Sequence, residues 1–345
     1  MHDESSLAPF LERWSRRARL LVAWAGGGAR RLVQRPPMAQ IEITNRCKMT
    51  CRTCTRLKLP ATGDMAFEDF RKLILELGPV RRLWLSGQGE PLLHPDLPRM
   101  IRECVDQGIH ETIVHTSGML LEGERAQAIA ASDLSELRIS IDGGSEEDVE
   151  YLREGSSFPQ IVENARAFVG LGSSVRTAFY VVLNRRNHLS VPRISEVAAS
   201  AGVRRVYVTE TVPFRDESTE REIYDRREYQ FASLPADVRD RTLAEIQTSA
   251  ARHGIDIRID LKWHRKRCFE PFQKIYIDFG GNVTPCCRIH NECFVGNILE
   301  GGLEGTWYGD AMTRWRRDIL KRSRHRRICV ERCNLGIGAD CKSDP

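Results

Sequence analysis

The sequence predicts an α/β fold in which parallel strands are joined by helical crossovers, followed by a small cysteine-rich unit built from a hairpin and a helix. Two observations predict the first part. Short apolar runs alternate with longer helical patterns from residue 38 to about 215, and the alternation repeats six times. Such alternation means a parallel sheet with right-handed crossovers. A third observation predicts the second part: the eleven cysteines gather near residues 47–54 and 268–341, leaving Cys104 by itself. Six strand–helix units suit an open, partial (β/α)6 TIM-like barrel with its site at the carboxyl ends of the strands. A doubly wound sheet gives the same one-dimensional pattern.

Composition sets the outer bounds. A chain of 345 residues suits one large domain plus a smaller one, and 41% hydrophobic with 29% charged residues is ordinary for a globular protein. A net charge of +5 is mild and gives no argument for nucleic acid. The cysteine count is odd, and the start, Met1-His-Asp-Glu-Ser-Ser, is acidic where a secretory signal would be basic. Metal or cluster ligation is therefore the better reading of the thiols than a disulfide framework. The apolar run Leu20–Ala25 is too short to span a bilayer. The expected location is the cytoplasm.

Taken in order, residues 1–37 place Leu7, Phe10, Leu11, Trp14, Ala18, Leu21 and Val22 at helical spacing among arginines. This basic amphipathic segment breaks at Gly26-Gly-Gly and is read as a helix packed on the barrel exterior, with a membrane or partner surface as the alternative. The barrel occupies 38–215. Its strands are expected at Ala39–Thr44, Arg82–Ser86, Thr112–Thr116, Leu137–Ile141, Val175–Leu183 and Arg205–Thr209. Helices are expected at Ala66–Leu77, Leu97–Gln107, Gly123–Ala131, Phe158–Leu171 and Ser190–Ala201. Residues 216–262 read as a linker whose one helix is Ala236–His253, preceded by the charge-dense stretch Arg215–Arg227. From 263 to 345, Lys274–Cys287 reads as strand, glycine turn and strand, with a helix over Gly305–Lys321.

The chemistry begins where the first strand ends. Ile41-Glu-Ile-Thr-Asn-Arg-Cys47 alternates like a strand and then breaks into a loop holding Cys47, Cys51 and Cys54. Thiols spaced x3 then x2 cannot share one strand face, but a loop can gather them. Cysteine thiolates hold iron–sulfur clusters at such spacings, normally four to a [4Fe–4S] cluster, so three leave one iron open. Zinc prefers four ligands in paired units, and no fourth Cys or His follows closely.

This Cys47-x3-Cys51-x2-Cys54 run resembles the signature of the radical S-adenosylmethionine (SAM) enzymes, although Thr53 stands where an aromatic residue is frequent. The resemblance implies an open iron that chelates SAM, whose reductive cleavage yields a 5′-deoxyadenosyl radical that abstracts a substrate hydrogen. It also favours the barrel over the doubly wound sheet. It extends along the strand ends. Gly87-Gln88-Gly89-Glu90-Pro91 is similar to the family's Gly-Gly-Glu, so Gly87, Gly89 and Glu90 are expected to grip the methionine amine. Ser140 and Asp142 resemble a Ser-x-Asp-Gly beside the SAM ribose and carboxylate, and Asn184 a position near the ribose. Arg153 fits a family pattern and also reads as an ion pair.

The second cysteine cluster resembles the SPASM or shorter twitch auxiliary domains, from Cys268-x12-Gly281-x4-Cys286 onward. One auxiliary [4Fe–4S] cluster is expected on Cys268, Cys286, Cys329 and Cys333, with Cys341 or Cys287 as substitutes and structural zinc as the alternative metal. Cys293 is left outside this set, and Cys104 is expected to be a buried apolar thiol. The resemblance thus implies an oxidoreductase that dehydrogenates a small cyclitol, sugar or nucleoside-type metabolite, reduced by a flavodoxin or ferredoxin. Maturation of a ribosomal peptide is the rival, disfavoured by the short segment before the first strand. A non-catalytic metal scaffold is the remaining alternative. The proton acceptor is unassigned, with His115, Tyr180 and Glu210 as candidates.

Overall fold

Alternation along each strand decides how the sheet is dressed. One parity is aliphatic and buried: Ala39 and Ile41, Leu83 and Leu85, Leu137 and Ile139, Phe179 and Val181, Val206 and Val208. The other parity carries polar and aromatic side chains, including Gln40, Trp84, His115, Arg138, Tyr180 and Tyr207. Successive strand side chains point to opposite faces, so one face packs against helices and the other lines an interior.

The computed structural model describes residues 35–54, 56, 61–210, 230–261, 270–287 and 293–320. The N-terminal amphipathic segment up to residue 34, the charge-dense stretch 215–227, and Cys268, Cys329, Cys333 and Cys341 lie outside the described residues.

Seven parallel strands run β1 (Met38–Ile41), β2 (Arg82–Leu85), β3 (Thr112–Thr116), β4 (Glu136–Ser140), β5 (Arg176–Leu183), β6 (Arg205–Glu210) and β7 (Asp256–Asp260). They neighbour one another in sequence order. A doubly wound sheet reverses its strand order at a switch point; this one does not, and it forms a partial barrel. Its curvature is visible in side chains that meet across non-adjacent strands: the His115 ring on β3 lies 4.7 Å from that of Tyr180 on β5.

The crossover helices are α1 (Phe67–Leu77), α2 (Leu97–Asp106), α3 (Gly123–Ala130), α4 (Glu146–Leu152), α5 (Phe158–Gly170), α6 (Ile194–Ser200) and α7 (Ala236–His253). Helix α1 shows why they lie on the aliphatic face: it buries Phe67, Phe70, Leu73, Ile74 and Leu77 at i, i+3, i+4 spacing. Cys104 is fully buried in the same core on α2. Two elements differ from expectation. The seven-residue α4 was not anticipated, and the segment read as a helical linker ends in β7. The run Asp256-Ile-Arg-Ile-Asp260 has strand alternation, but its charges disguise it; it pairs only with β6 among the described residues.

The hairpin of β8 (Lys274–Ile277) and β9 (Asn282–Thr284) continues this sheet, because β8 pairs in parallel with β1. Gly281, at φ +85°, closes its turn. Asp278 Oδ1 accepts from the Gly280 and Asn282 amides at 2.9 and 2.8 Å. Strand β10 (Gly296–Asn297) adds to β9, and helices α8 (Glu270–Gln273), α9 (Ile298–Gly305) and α10 (Asp310–Leu320) complete the unit. Glu76 of α1 accepts from the Leu303 amide at 2.7 Å, seating α9 on the barrel.

Candidate active site

The cysteine loop is fastened from two sides. Asn45 Nδ2 donates to the Ala61 carbonyl at 2.9 Å, and its Oδ1 accepts from the Gly63 amide at 2.8 Å. On the other side the amides of Thr50 and Arg52 donate to the carbonyls of Glu154 and Leu152, both at 2.9 Å. The end of α4 therefore sits directly on the loop, and Arg153 lies beside the thiols.

The three thiols form an electrostatic group. Burial pushes all three up, Cys54 to about 11, and for Cys51 and Cys54 neighbouring thiols add to the rise. Arg153 opposes it for Cys47 and Cys51, and Arg56 for Cys47 and Cys54. Backbone N–H groups of Met49 and Arg56 each point at a sulfur, Cys47 and Cys54 respectively, at 3.4 Å. Three partly buried thiols gathered in one loop and met by N–H donors and guanidinium groups that would favour their thiolate form are a donor set suited to a cationic iron–sulfur core. Among the described residues no three or more His, Cys, Asp or Glu converge to chelate one metal ion. A four-iron cluster asks for something different, since its thiolates are shared among separate irons.

The expected SAM-binding positions are placed unequally. Gly87 and Gly89 are needed because the segment that follows β1 approaches their backbone: a Cβ at 87 would collide with the Glu42 side chain, and one at 89 with the Thr44 carbonyl. The Glu90 carboxylate is buried and takes three donors. These are the Thr116 hydroxyl and Ser117 amide at 2.7 Å and the Leu92 amide at 3.1 Å, so it ties the ends of β2 and β3 together. Asp142, 3% exposed, receives Arg153 Nη1 at 3.0 Å and the Val182 amide at 2.9 Å. Arg153 is thus both the ion pair and the neighbour of the thiols; burial pulls it down, and Asp142 with Cys51 outweighs burial and leaves its net shift upward. Ser140 faces the interior opposite Tyr180. Asn184 folds its side chain onto its own loop, accepting from the Arg186 and Asn187 amides at 2.8 and 3.2 Å.

Of the three candidate proton acceptors, His115 and Tyr180 share the interior face. Burial, with the charges of Arg138 and Lys274, pulls His115 down to about 3, which keeps it neutral. Glu210 pairs in register with the core residue Leu183 and so lies on the opposite parity from Tyr207 and Thr209. The carboxylate that the sequence reading passed over is Glu42, 2% exposed. Its Oε2 accepts from the Gln88 amide at 2.6 Å and the Tyr276 hydroxyl at 3.1 Å, and burial raises it from 4.5 to about 7. Gln88 in turn accepts from the Cys54 thiol at 3.6 Å through Oε1. Glu42 therefore links the cysteine loop to β8. The signal was present: Gln40, Glu42 and Thr44 alternate with Ala39, Ile41 and Ile43.

On the auxiliary side, Cys286 packs with Cys293 and Trp315. Cys287 lies within 3.7 Å of Lys274 Nζ, which also donates to Gln40 at 3.2 Å. The two adjacent cysteines thus have different neighbours.

Comparison with known proteins agrees with this geometry. Residues 41–209 match the family model of the radical SAM superfamily, and residues 268–341 match an iron–sulfur cluster-binding domain, SPASM. The chain is 24% identical over 307 residues to a tungsten-containing aldehyde ferredoxin oxidoreductase cofactor-modifying protein of Pyrococcus furiosus, covering 81% of this chain and 83% of that one. It is 27% identical over 179 residues to a PqqA peptide cyclase of Granulibacter bethesdensis, 50% of this chain and 47% of the cyclase. Among solved structures, Streptococcus suis SuiB bound to S-adenosylmethionine superposes with a TM-score of 0.67 at 15% identity, over 88% of this chain and 72% of that chain.

Proposed function

Because the chain belongs to the radical SAM superfamily and carries a SPASM iron–sulfur domain, we propose that it oxidises a C–H-bearing carbon of a small polar metabolite, of cyclitol, sugar or nucleoside type. When bound, the first [4Fe–4S] cluster and SAM supply the radical that takes the hydrogen atom, and the auxiliary cluster supplies an acceptor for the electron released afterwards. Cys47, Cys51 and Cys54 would hold the first cluster. Cys268, Cys286, Cys329 and Cys333 would hold the auxiliary one, and a flavodoxin or ferredoxin would reduce the first.

The chain's own side chains do the rest. Gly87 and Gly89 let the segment after β1 and the β2 loop close together, and Glu90 fixes the ends of β2 and β3, shaping the floor on which the methionine end of SAM would lie. Ser140 and the Asp142–Arg153 pair, joined at 3.0 Å, would border the ribose and carboxylate end, and Asn184 braces the adjoining loop. Oxidation also releases a proton. The Glu42 carboxylate, with Tyr276 OH at 3.1 Å, is the group suited to hold it near neutral pH.

The observation that carries the small-molecule reading is the interior face itself. Gln40, Trp84, His115, Arg138, Tyr180, Tyr207 and Lys274 project onto it from six barrel strands and β8, and buried polar surface of this kind needs a polar occupant or partners. A second reading, maturation of a peptide, is favoured by the likeness to the PqqA peptide cyclase and to SuiB, which has also been solved with its precursor peptide SuiA. Deuterated polyols, nucleosides and peptides, offered in turn to the reduced enzyme with SAM, separate the two. Deuterium in 5′-deoxyadenosine from a polyol or nucleoside, with a product two hydrogens lighter, is the expected result. Deuterium arriving only from peptides would transfer the proposal to the second reading.

A further inference from the structure

Two neighbouring strands present polar groups to the barrel interior that lack partners among the described residues. Arg138 on β4 and His115 on β3 are register partners and share the interior face. The guanidinium of Arg138 is fixed along one edge and one face. Its Nε donates to Glu136, and its carbon lies 3.9 Å from the centre of the Tyr207 ring. Glu136 is shared: it also meets Arg176 at 3.5 Å and accepts from the Tyr207 hydroxyl at 3.4 Å, so two cations face one carboxylate. The remaining edge of Arg138, Nη1 and Nη2, has no hydrogen-bond partner among the described residues. The same holds for both ring nitrogens of His115, whose ring is held edge-on against Tyr180. None of these nitrogens is sealed from solvent, so all of them open onto the interior.

Their chemistry indicates an occupant. A guanidinium edge offers paired N–H donors in a fork that matches two oxygens of a carboxylate or phosphate. Burial and the charges of Arg138 and Lys274 hold the His115 ring neutral, so it offers one N–H and one lone pair. The field that keeps a second proton off this ring favours an anion in the same place. The lone pair then suits a hydroxyl beside that anion. We propose that Arg138 and His115 form an anion subsite, and that the substrate carries a carboxylate or phosphate beside a hydroxyl group. This deepens, and rests on, the reading of the substrate as a small polar metabolite in the barrel interior: it is a sugar acid or a sugar phosphate rather than a neutral polyol. Both residues bind and orient the substrate, and neither is asked to take part in bond breaking.

Isothermal titration calorimetry tests it on the full chain, reconstituted with its clusters and SAM and kept anaerobic. The probes are two pairs that differ in charge: gluconate with glucitol, and ribose 5-phosphate with ribose. The anionic member of at least one pair is expected to bind roughly tenfold more tightly than its partner, and the pair that responds separates a carboxylate from a phosphate. R138M should abolish that preference and R138K should retain part of it. H115F, which disturbs no ion pair, should weaken the anion roughly threefold to tenfold. E136Q/R138M, which removes the partner carboxylate together with the cation, gives the same reading if R138M alone does not fold. Equal affinity within both pairs would overturn the proposal, as would a preference that survives in R138M or in the double variant. Binding is read without turnover, so failure here is distinct from failure of the small-molecule reading, which the deuterium assay decides.

Discussion

Glu42→Gln tests the electrostatics at the heart of the site. The carboxylate sits at about 7 in the folded chain against 4.5 for the free group, chiefly through burial. A carboxyl group raised on folding binds its proton more tightly in the native state. Its contribution is fully present below pH 4.5 and is lost as the pH climbs to about 7. At about 1.4 kcal/mol per pH unit, that interval corresponds to ~3 kcal/mol. Glutamine keeps an oxygen for the Gln88 amide and the Tyr276 hydroxyl, so the variant removes the titration while preserving the acceptor. Urea unfolding under anaerobic conditions at pH 5 and pH 8 reads the effect. The wild-type chain should lose about 2 to 3 kcal/mol more than E42Q between the two pH values, since pH 5 already lies above 4.5, and the dependence of turnover on pH near 7 should flatten in E42Q. Equal losses in the two proteins would refute the burial argument and remove Glu42 as the proton-holding group.

Two further substitutions probe the frame around the thiols. Gly89→Ala places a methyl group against the Thr44 carbonyl and 2.7 Å from Asn45 Cα, both backbone atoms that cannot rotate aside. It should cost ~1–3 kcal/mol in urea titrations and lower the iron bound per chain, whereas normal stability and iron would mean that the loop has slack. Asp142→Asn leaves the Arg153 guanidinium buried without its carboxylate, the pair now standing at 3.0 Å. Removing one partner of such a pair should destabilise by ~3 kcal/mol, and a change below ~1 kcal/mol would show that water reaches Arg153 freely.

Where packing follows local pattern, the sequence alone was enough. The six strands and their helices were legible because aliphatic alternation and 3.6-residue periodicity act within a dozen residues. The parallel pairing of β8 with β1 was not legible. It joins Met38–Ile41 to Lys274–Ile277, more than two hundred residues on, and no local signal marks it. The same contact brings Tyr276 to Glu42, so the carboxylate's chemistry was hidden although its parity could be read. Strand β7 was missed because Asp256, Arg258 and Asp260 made an edge strand look like part of a charged linker. Gly87 and Gly89 were flagged for closeness to a ligand. In the structure their backbone also lies against Glu42, Thr44 and Asn45, just past the end of β1, a neighbour that the local sequence does not name.

The central claim is that Cys47, Cys51 and Cys54 hold a cluster with one iron open to SAM. Anaerobic reconstitution followed by a reductant and SAM tests it most directly, with 5′-deoxyadenosine and methionine as products. The intact chain should release both, while Cys47→Ser, Cys51→Ser and Cys54→Ser should each release neither and lose about four of about eight irons. Undiminished 5′-deoxyadenosine from any one of the three variants would contradict the account.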